Sequence, residues 1–296
     1  MGSDKLLLPL QLMLKGWSKA DPATKKKLPV EADVPDFMAT MGLRKEATEL
    51  ERRVGDLALV AFYYLLRVGE YAVTGTKSAD KQTTQFTVND VAFFRKNAMG
   101  QLRQLGRKAT DKQLLTAAGA TLRLRDQKNG WKNVCIHQHN NGEKHLCPVK
   151  ALARIVISIR KLTSNADTLL STYWDGKPKN VTDKCMRKGI KLAAAALSYP
   201  ERKRIEIKQI DTHSFRAGGA NALHMAGYLD RQIQKMGRWR SDTFKEYISD
   251  QLSTFSKGMS KNMKKSFNFV NIAGGEMTDV TEATVAAEYT AHASAA

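Results

Sequence analysis

Residues 46–72, EATELERRVGDLALVAFYYLLRVGEYA, constrain the fold more than any other stretch of the chain. Leu50, Val54, Leu57, Ala61, Tyr64 and Leu65 recur at three- and four-residue spacing, the period of an amphipathic helix. Phe62-Tyr-Tyr-Leu-Leu66 then runs straight into Arg67. A helix this apolar belongs in a core, and a guanidinium at its end needs a partner, because an unpaired buried charge is costly. Glu70 is three residues on and can hold that guanidinium while its fork faces a phosphate. The simpler alternative is an i,i+3 surface pair worth a few tenths of a kcal/mol.

After this helix the period changes. Residues 83–95 (TTQFTVNDVAFFR), 120–127 (ATLRLRDQ) and 131–139 (WKNVCIHQH) alternate and are rich in β-formers, so they are expected as strands. Asn129-Gly130, between the last two, signals a tight hairpin. Residues 147–162 return to helix, with Pro148 suited to the first turn and Val149, Leu152, Val156 and Ile159 on one face. Residues 181–199 read as another helix capped by Thr182, followed by shorter helices at 211–226, 230–237 and 241–250. The expected fold class is α+β, mainly α, with a small antiparallel sheet.

The chain has 296 residues and a net charge of +19, and 42% of it is hydrophobic, enough for a core and too much for a disordered chain. Residues 273–296 hold Glu276, Asp279, Glu282 and Glu288 and no Lys or Arg, so the first 272 carry +23. Such a surplus points to a polyanion, nucleic acid before an anionic membrane surface. No apolar window is long enough to span a membrane, and no basic amphipathic helix offers an aromatic face, so no membrane partner is expected. The N-terminus lacks the apolar run and cleavage site of a secretory signal. Three cysteines, Cys135, Cys147 and Cys185, give no disulfide framework and favour a reducing compartment. Cys135, His137 and His139 share a strand face near His145 and Cys147, but neither a CxxC pair nor a helical HxxxH is present, so no metal is expected. The Pro- and Lys-rich ADPATKKKLPVEADVPDF (residues 20–37) reads as a linker or surface arm, and the Ala/Thr-rich 273–296 as a flexible tail.

Two further clusters carry unusual polar residues. In Thr212-His213-Ser214-Phe215-Arg216, His213 and Arg216 share a helix face in a first turn that favours anions, with Asp211 or Thr212 capping. In Met236-Gly-Arg-Trp239, a basic turn precedes Tyr247 by eight residues from Trp239. Each alone is unremarkable, and a structural His, a surface Arg and a half-buried Tyr would explain them.

Together, in this order and spacing, they resemble the tyrosine recombinase (phage integrase) family. Its signature is an Arg, a hairpin Lys, HxxR, a His or Trp, and a Tyr nucleophile. The resemblance covers roughly residues 30–265. LLRVGEY, CPVKAL and GRWRSDTFKEYI look most like recombinases of eukaryotic mobile elements of the Crypton or DIRS kind. The resemblance implies Arg67 as the first Arg with Glu70 as its structural acid, and His213 and Arg216 as the HxxR pair. It implies Lys128 as the hairpin Lys, with Lys132 as the alternative. Trp239 is taken for the His/Trp position, although the family more often spaces it nine before the Tyr, where Arg238 stands. Tyr247 is the implied nucleophile. Metal-free DNA cleavage and rejoining through a 3′-phosphotyrosine is the expected activity, with no cofactor, and DNA recombination or integration the expected role. A catalytically retired DNA-binding module of the same fold is the alternative, and a relaxing topoisomerase with the same chemistry a third.

Double-stranded DNA is thus the expected partner, with Arg202, Lys203, Arg204 and Lys208 and also Arg103, Arg107 and Lys108 as contacts, each cluster equally explained as solvated surface. The resemblance further implies a homotetramer on DNA, with residues 251–270 packing into a neighbour. Residues 1–30 are expected to be a linker or the remnant of an N-terminal DNA-clamping region of a longer chain, 31–270 the catalytic domain and 271–296 the acidic tail. A mobile-element origin would place the protein in the nucleus, otherwise in the cytoplasm of a prokaryotic host.

Overall fold

The computed structural model describes residues 28–75, 83–126 and 132–239, all within a unit that spans Met1–Ser249. The other unit, Asp250–Ala296, and the expected helix at 241–250 lie outside the described residues.

Helix α1 (Asp33–Gly42) and helix α2 (Glu49–Tyr63) form an antiparallel pair that starts the fold. Thr48 caps α2 by accepting from the Glu51 amide, and Glu51 answers by accepting from the Thr48 amide at 2.7 Å. Leu57 through Phe62 are all buried, so the helix is covered on every side. The expected helix over 46–72 is therefore two elements. The chain leaves α2 through Tyr64, turns at Leu65 (φ 51°), and resumes as the short α3 (Val68–Tyr71) with Arg67 extended before it. A left-handed turn at a leucine costs about 1–2 kcal/mol. It also turns the Tyr64 and Leu65 carbonyls out of the helical ladder, which frees them as acceptors.

Residues 33–37, expected in a surface arm, begin α1 instead. Val30 and Val34 are buried, and the Leu28 and Val30 amides donate to the carbonyls of Gln209 and Ser214. Chain packing thus begins at least by residue 28, because these valines fill space between α1, α2 and the later helices.

Four strands, β1 (Val91–Lys96), β2 (Leu102–Gln104), β3 (Gly119–Leu124) and β4 (Val134–His139), pair antiparallel in the order β2-β1-β3-β4. A short helix, α4 (Asp111–Leu115), intervenes before β3. Phe93, Ala120, Leu122, Leu124 and Ile136 make the buried face. The Tyr64 hydroxyl donates to the Ala120 carbonyl at 2.9 Å and ties the sheet to the end of α2. The expected strand 83–95 is only half strand: Asp90 accepts from the Thr87 amide and hydroxyl, and Val88–Asp90 wind into a 3₁₀ turn.

Helix α5 (Pro148–Leu162) has Pro148 in its first turn and packs against α2 and the sheet. A two-stranded ribbon, β5 (Thr172–Trp174) with β6 (Pro178–Asn180), precedes α6 (Asp183–Ala196), which Thr182 caps by accepting from the Cys185 amide. Then follow α7 (Tyr199–Lys203), α8 (His213–Met225) and α9 (Asp230–Gly237). Among the described residues the fold is mainly helical with a small antiparallel sheet, and no helix is long and apolar enough to cross a membrane.

Candidate functional site

The site forms where the turn after α2 meets the start of α8 and the end of α9. Close approach of backbones makes this meeting feasible. A Cβ on Gly218 would lie 1.9 Å from the Val30 carbonyl oxygen, and one on Gly219 would lie 2.4 Å from that of Phe62. Two glycines in one turn of α8 thus let its first half sit directly on the end of α2.

Arg216 is carried in by that contact. It is 1% exposed, donates to the Leu65 carbonyl at 2.7 Å, and donates its other terminal nitrogen to the Gly237 carbonyl. The Trp239 ring lies over the guanidinium, 4.1 Å from its carbon to the ring centroid, a cation–π stack. Trp239 can fold back this way because residue 237 is glycine: a Cβ there would overlap the indole ring at 1.3 Å. Leu65, Ala220 and Ile233 pack around the indole.

Glu70 is 1% exposed and is shared. One carboxylate oxygen accepts from the Arg67 amide at 2.9 Å and from Arg238 Nη2 at 2.9 Å, while the other accepts from Arg67 Nη1 at 3.4 Å. Glu70 is therefore not the structural acid of Arg67 alone. Arg67 keeps 28% of its side chain exposed, so of the two predicted phosphate-binding arginines it is the one open to solvent in this state.

Sequence reasoning set Arg238 aside, yet it is fully buried. Besides Glu70 it donates to the Leu65 carbonyl at 3.1 Å and the Tyr64 carbonyl at 3.3 Å. Burial lowers its pKa, and the neighbouring Glu70 charge opposes that shift. The only signal for it in the sequence was its spacing, nine before Tyr247.

His213 opens α8 and keeps contact with solvent. Protein crowding around the ring strips part of its hydration and lowers its pKa below 6.5, and the positive charges of Arg216 and Arg67 push the same way. The helix start is held by Asp211, whose carboxylate accepts from the Thr212 amide at 2.7 Å and from Arg187 at 3.0 Å. Arg67, Glu70, His213, Arg216 and Trp239 are thus gathered in one place, with Arg238 beneath them.

Lys128 and Tyr247 lie outside the described residues. Lys132, the alternative hairpin lysine, is exposed just ahead of β4. The expected DNA contacts are scattered. Lys203 pairs with Glu31 at 2.6 Å, Arg202 with Asp33 at 3.6 Å, and Lys208 with Glu206. Arg204, Arg103 and Arg107 are exposed.

Cys135, His137 and His139 do share the outer face of β4, and the two imidazoles stack edge-to-face at 4.7 Å. His137 Nδ1 bonds the Thr121 hydroxyl at 2.8 Å, whereas Cys147 is buried at the start of α5 with its thiol on Asn140. Among the described residues, no three His, Cys, Asp or Glu side chains are placed to hold a metal ion.

No protein-family model matches the chain, and no curated protein matches it. Solved structures resemble it at low identity. The Tn1549 transposon integrase, in complex with transposon right end DNA, aligns over 81% of this chain and 68% of its own, at 14% identity and a TM-score of 0.42. XerA recombinase aligns over 83% and 67%, at 13% identity and a TM-score of 0.47. XerH site-specific recombinase, bound to palindromic difH substrate, aligns over 80% and 52%, at 14% identity and a TM-score of 0.48.

Proposed function

We propose that the chain is a tyrosine recombinase that cuts and rejoins duplex DNA through a 3′-phosphotyrosine, in the service of a mobile element. The observation that carries the reading is the gathering of Arg67, His213, Arg216 and Trp239, from three separate parts of the sequence, beside the buried pair of Glu70 and Arg238. A buried acid surrounded by more guanidiniums than it can neutralise is a pocket for a further anion.

On this reading the Tyr247 phenolate attacks the scissile phosphorus. A bond forms between phosphorus and the tyrosine oxygen, and the bond to the 5′-oxygen breaks. The 5′-oxygen leaves with a proton from Lys128, or from Lys132 if the hairpin is registered that way. His213, neutral at pH 7, takes the tyrosine proton. Charge that grows on the non-bridging oxygens meets Arg67 and Arg216, and the Trp239 indole N–H closes the pocket. In the unbound chain Trp239 covers Arg216, so engagement of the phosphate shifts the ring from the guanidinium face. The freed 5′-hydroxyl of a partner strand then reverses the step, within a tetramer on DNA.

The test is a covalent adduct. A duplex pool with a randomised core is nicked a few nucleotides downstream, so that the cleaved fragment diffuses away and traps the intermediate. Wild-type protein is expected to carry the 5′-labelled strand through denaturing electrophoresis, and Tyr247→Phe to lose it. If no wild-type adduct forms although the duplex is bound, the chain is a binding module and not an enzyme.

A further inference from the structure

The Arg238 side chain has no role in the chemistry above, yet it occupies the centre of the site. Its carrier position is unusual. Arg238 ends α9 with φ 59°, a left-handed conformation that costs a non-glycine residue about 1–2 kcal/mol. Asn or Gly would adopt it more cheaply, so the side chain must earn its place by what it touches.

Those contacts reach both phosphate-facing arginines at one remove. Leu65 O accepts from Arg238 at 3.1 Å and from Arg216 at 2.7 Å. The Glu70 oxygen that accepts from Arg238 also accepts from the Arg67 amide, each at 2.9 Å. The Arg238 guanidinium therefore stands between the two acceptors that fix Arg216 and Arg67. It is fully buried, and its fork is taken up by the Glu70 carboxylate and the Tyr64 and Leu65 carbonyls. Its backbone neighbours act on the same site from the other side: the Gly237 carbonyl receives Arg216, and Trp239 stacks upon it.

We propose that Arg238 is a positioning residue, a buried latch that sets the spacing of Arg67 and Arg216 and does not contact the phosphate itself. This rests on the recombinase reading. The GRW segment thus divides its labour between adjacent side chains, with Trp239 on the anion side of Arg216 and Arg238 on the protein side. Only a guanidinium serves, because its planar fork reaches the carbonyls of Tyr64 and Leu65 and the Glu70 carboxylate together. A lysine would offer the charge from a single point.

The full chain tests this with two readouts on the nicked duplex pool: equilibrium affinity by anisotropy, and the single-turnover rate of adduct formation at saturating DNA. A misplacement of reacting groups by an ångström typically costs about 10²-fold in rate. Arg238→Ala is accordingly expected to lose about 10²-fold in adduct rate with its affinity nearly unchanged, and to regain rate when guanidinium ion is added well below its denaturing range. Arg238→Lys is expected to stay within about tenfold of the alanine variant. Should Arg238→Ala not fold, Arg238→Gln, which keeps amide donors for the two carbonyls, takes its place in the same comparison. The proposal is overturned if wild type reacts and a folded variant matches it, or if rate and affinity fall together without rescue by guanidinium. A wild type that binds DNA but forms no adduct overturns the recombinase reading itself, an outcome distinct from either.

Discussion

His213 stands in the first turn of α8 with two guanidinium charges acting on its ring. Partial burial comes first among the causes of its lowered pKa, and Arg216 and Arg67 follow. The sign is that of a base kept neutral: below its ordinary 6.5, the ring gives up its proton more readily than in water. On the proposed mechanism, a base that must be neutral to accept the Tyr247 proton is therefore ready at pH 7, and activity should be lost only on the acid side. The adduct rate is expected to rise through a midpoint below pH 6.5 and to be level from there to pH 8. His213→Gln should remove that acid limb. A midpoint above 6.5 in the wild type would exclude His213 as the group titrated. At this scale the sequence singled out Arg67, Glu70, His213 and Arg216 by residue type and spacing, and the fold gathers them in one place. Arg238 was not legible, because whether an arginine points to solvent or inward depends on a left-handed backbone that no spacing encodes.

Elements whose period is long enough to repeat read true from sequence. Helix α5 and helix α6 match expectation to within a few residues, because Pro148 and Thr182 mark their starts. The strands β2, β5 and β6 were not foreseen, since each is three residues long and β2 and β6 are exposed throughout, which leaves no alternation to detect. The break between α2 and α3 was missed for a different reason. Leu65 continues the apolar pattern while its backbone leaves the helix, and tertiary hydrogen bonds from Arg216 and Arg238 stabilise the turn. The glycines of α8 belong to this scale as well. On an exposed helix face, Gly→Ala would stabilise by about 1 kcal/mol. At Gly218 the sign should reverse, because the new methyl meets backbone, the Val30 carbonyl, at a distance that requires α8 to move. Overpacking of this kind costs about 1–3 kcal/mol. Gly189→Ala in α6 is the control, because its methyl would meet side chains and no backbone, the flexible end of Met38 at 2.8 Å and Val54 Cγ1 at 3.1 Å. Urea denaturation should place Gly218→Ala well below wild type and Gly189→Ala near it. Equal midpoints for the two would mean that α8 does not lie against the Val30 backbone.

The charge of the whole molecule, +19, divides between cations already engaged within the fold and cations left to the solvent. Lys203 and Arg202 pair with Glu31 and Asp33, so they bind the start of α1 to α7. Exposed pairs of this sort contribute about 0.2–1 kcal/mol each to stability. They also cost a DNA contact something, because the acid must be given up first. Arg103 lies on the exposed edge strand β2, and Arg107 on the loop that follows; neither has a carboxylate partner within the described residues. Arg160 donates to the Arg107 carbonyl at 2.9 Å and so holds that loop in place. Each phosphate contact adds about −0.9 to the slope of log affinity against log salt on duplex DNA. Replacing Arg103 and Arg107 together by Gln should thus make the slope shallower by about 2, with little change in thermal stability. Lys203→Gln should leave the slope almost unaltered and lower stability by no more than about 1 kcal/mol. On the proposed mechanism Arg67→Ala should fall in neither class, since one phosphate contact is a small part of the affinity, whereas loss of a donor to the reacting phosphate costs about 10²–10³ in rate. Anisotropy titrations across a salt series, run beside melting curves and adduct rates, separate the three effects. If the Lys203 variant altered the slope as much as the Arg103–Arg107 pair, the intramolecular ion pairs would not be withholding charge from DNA.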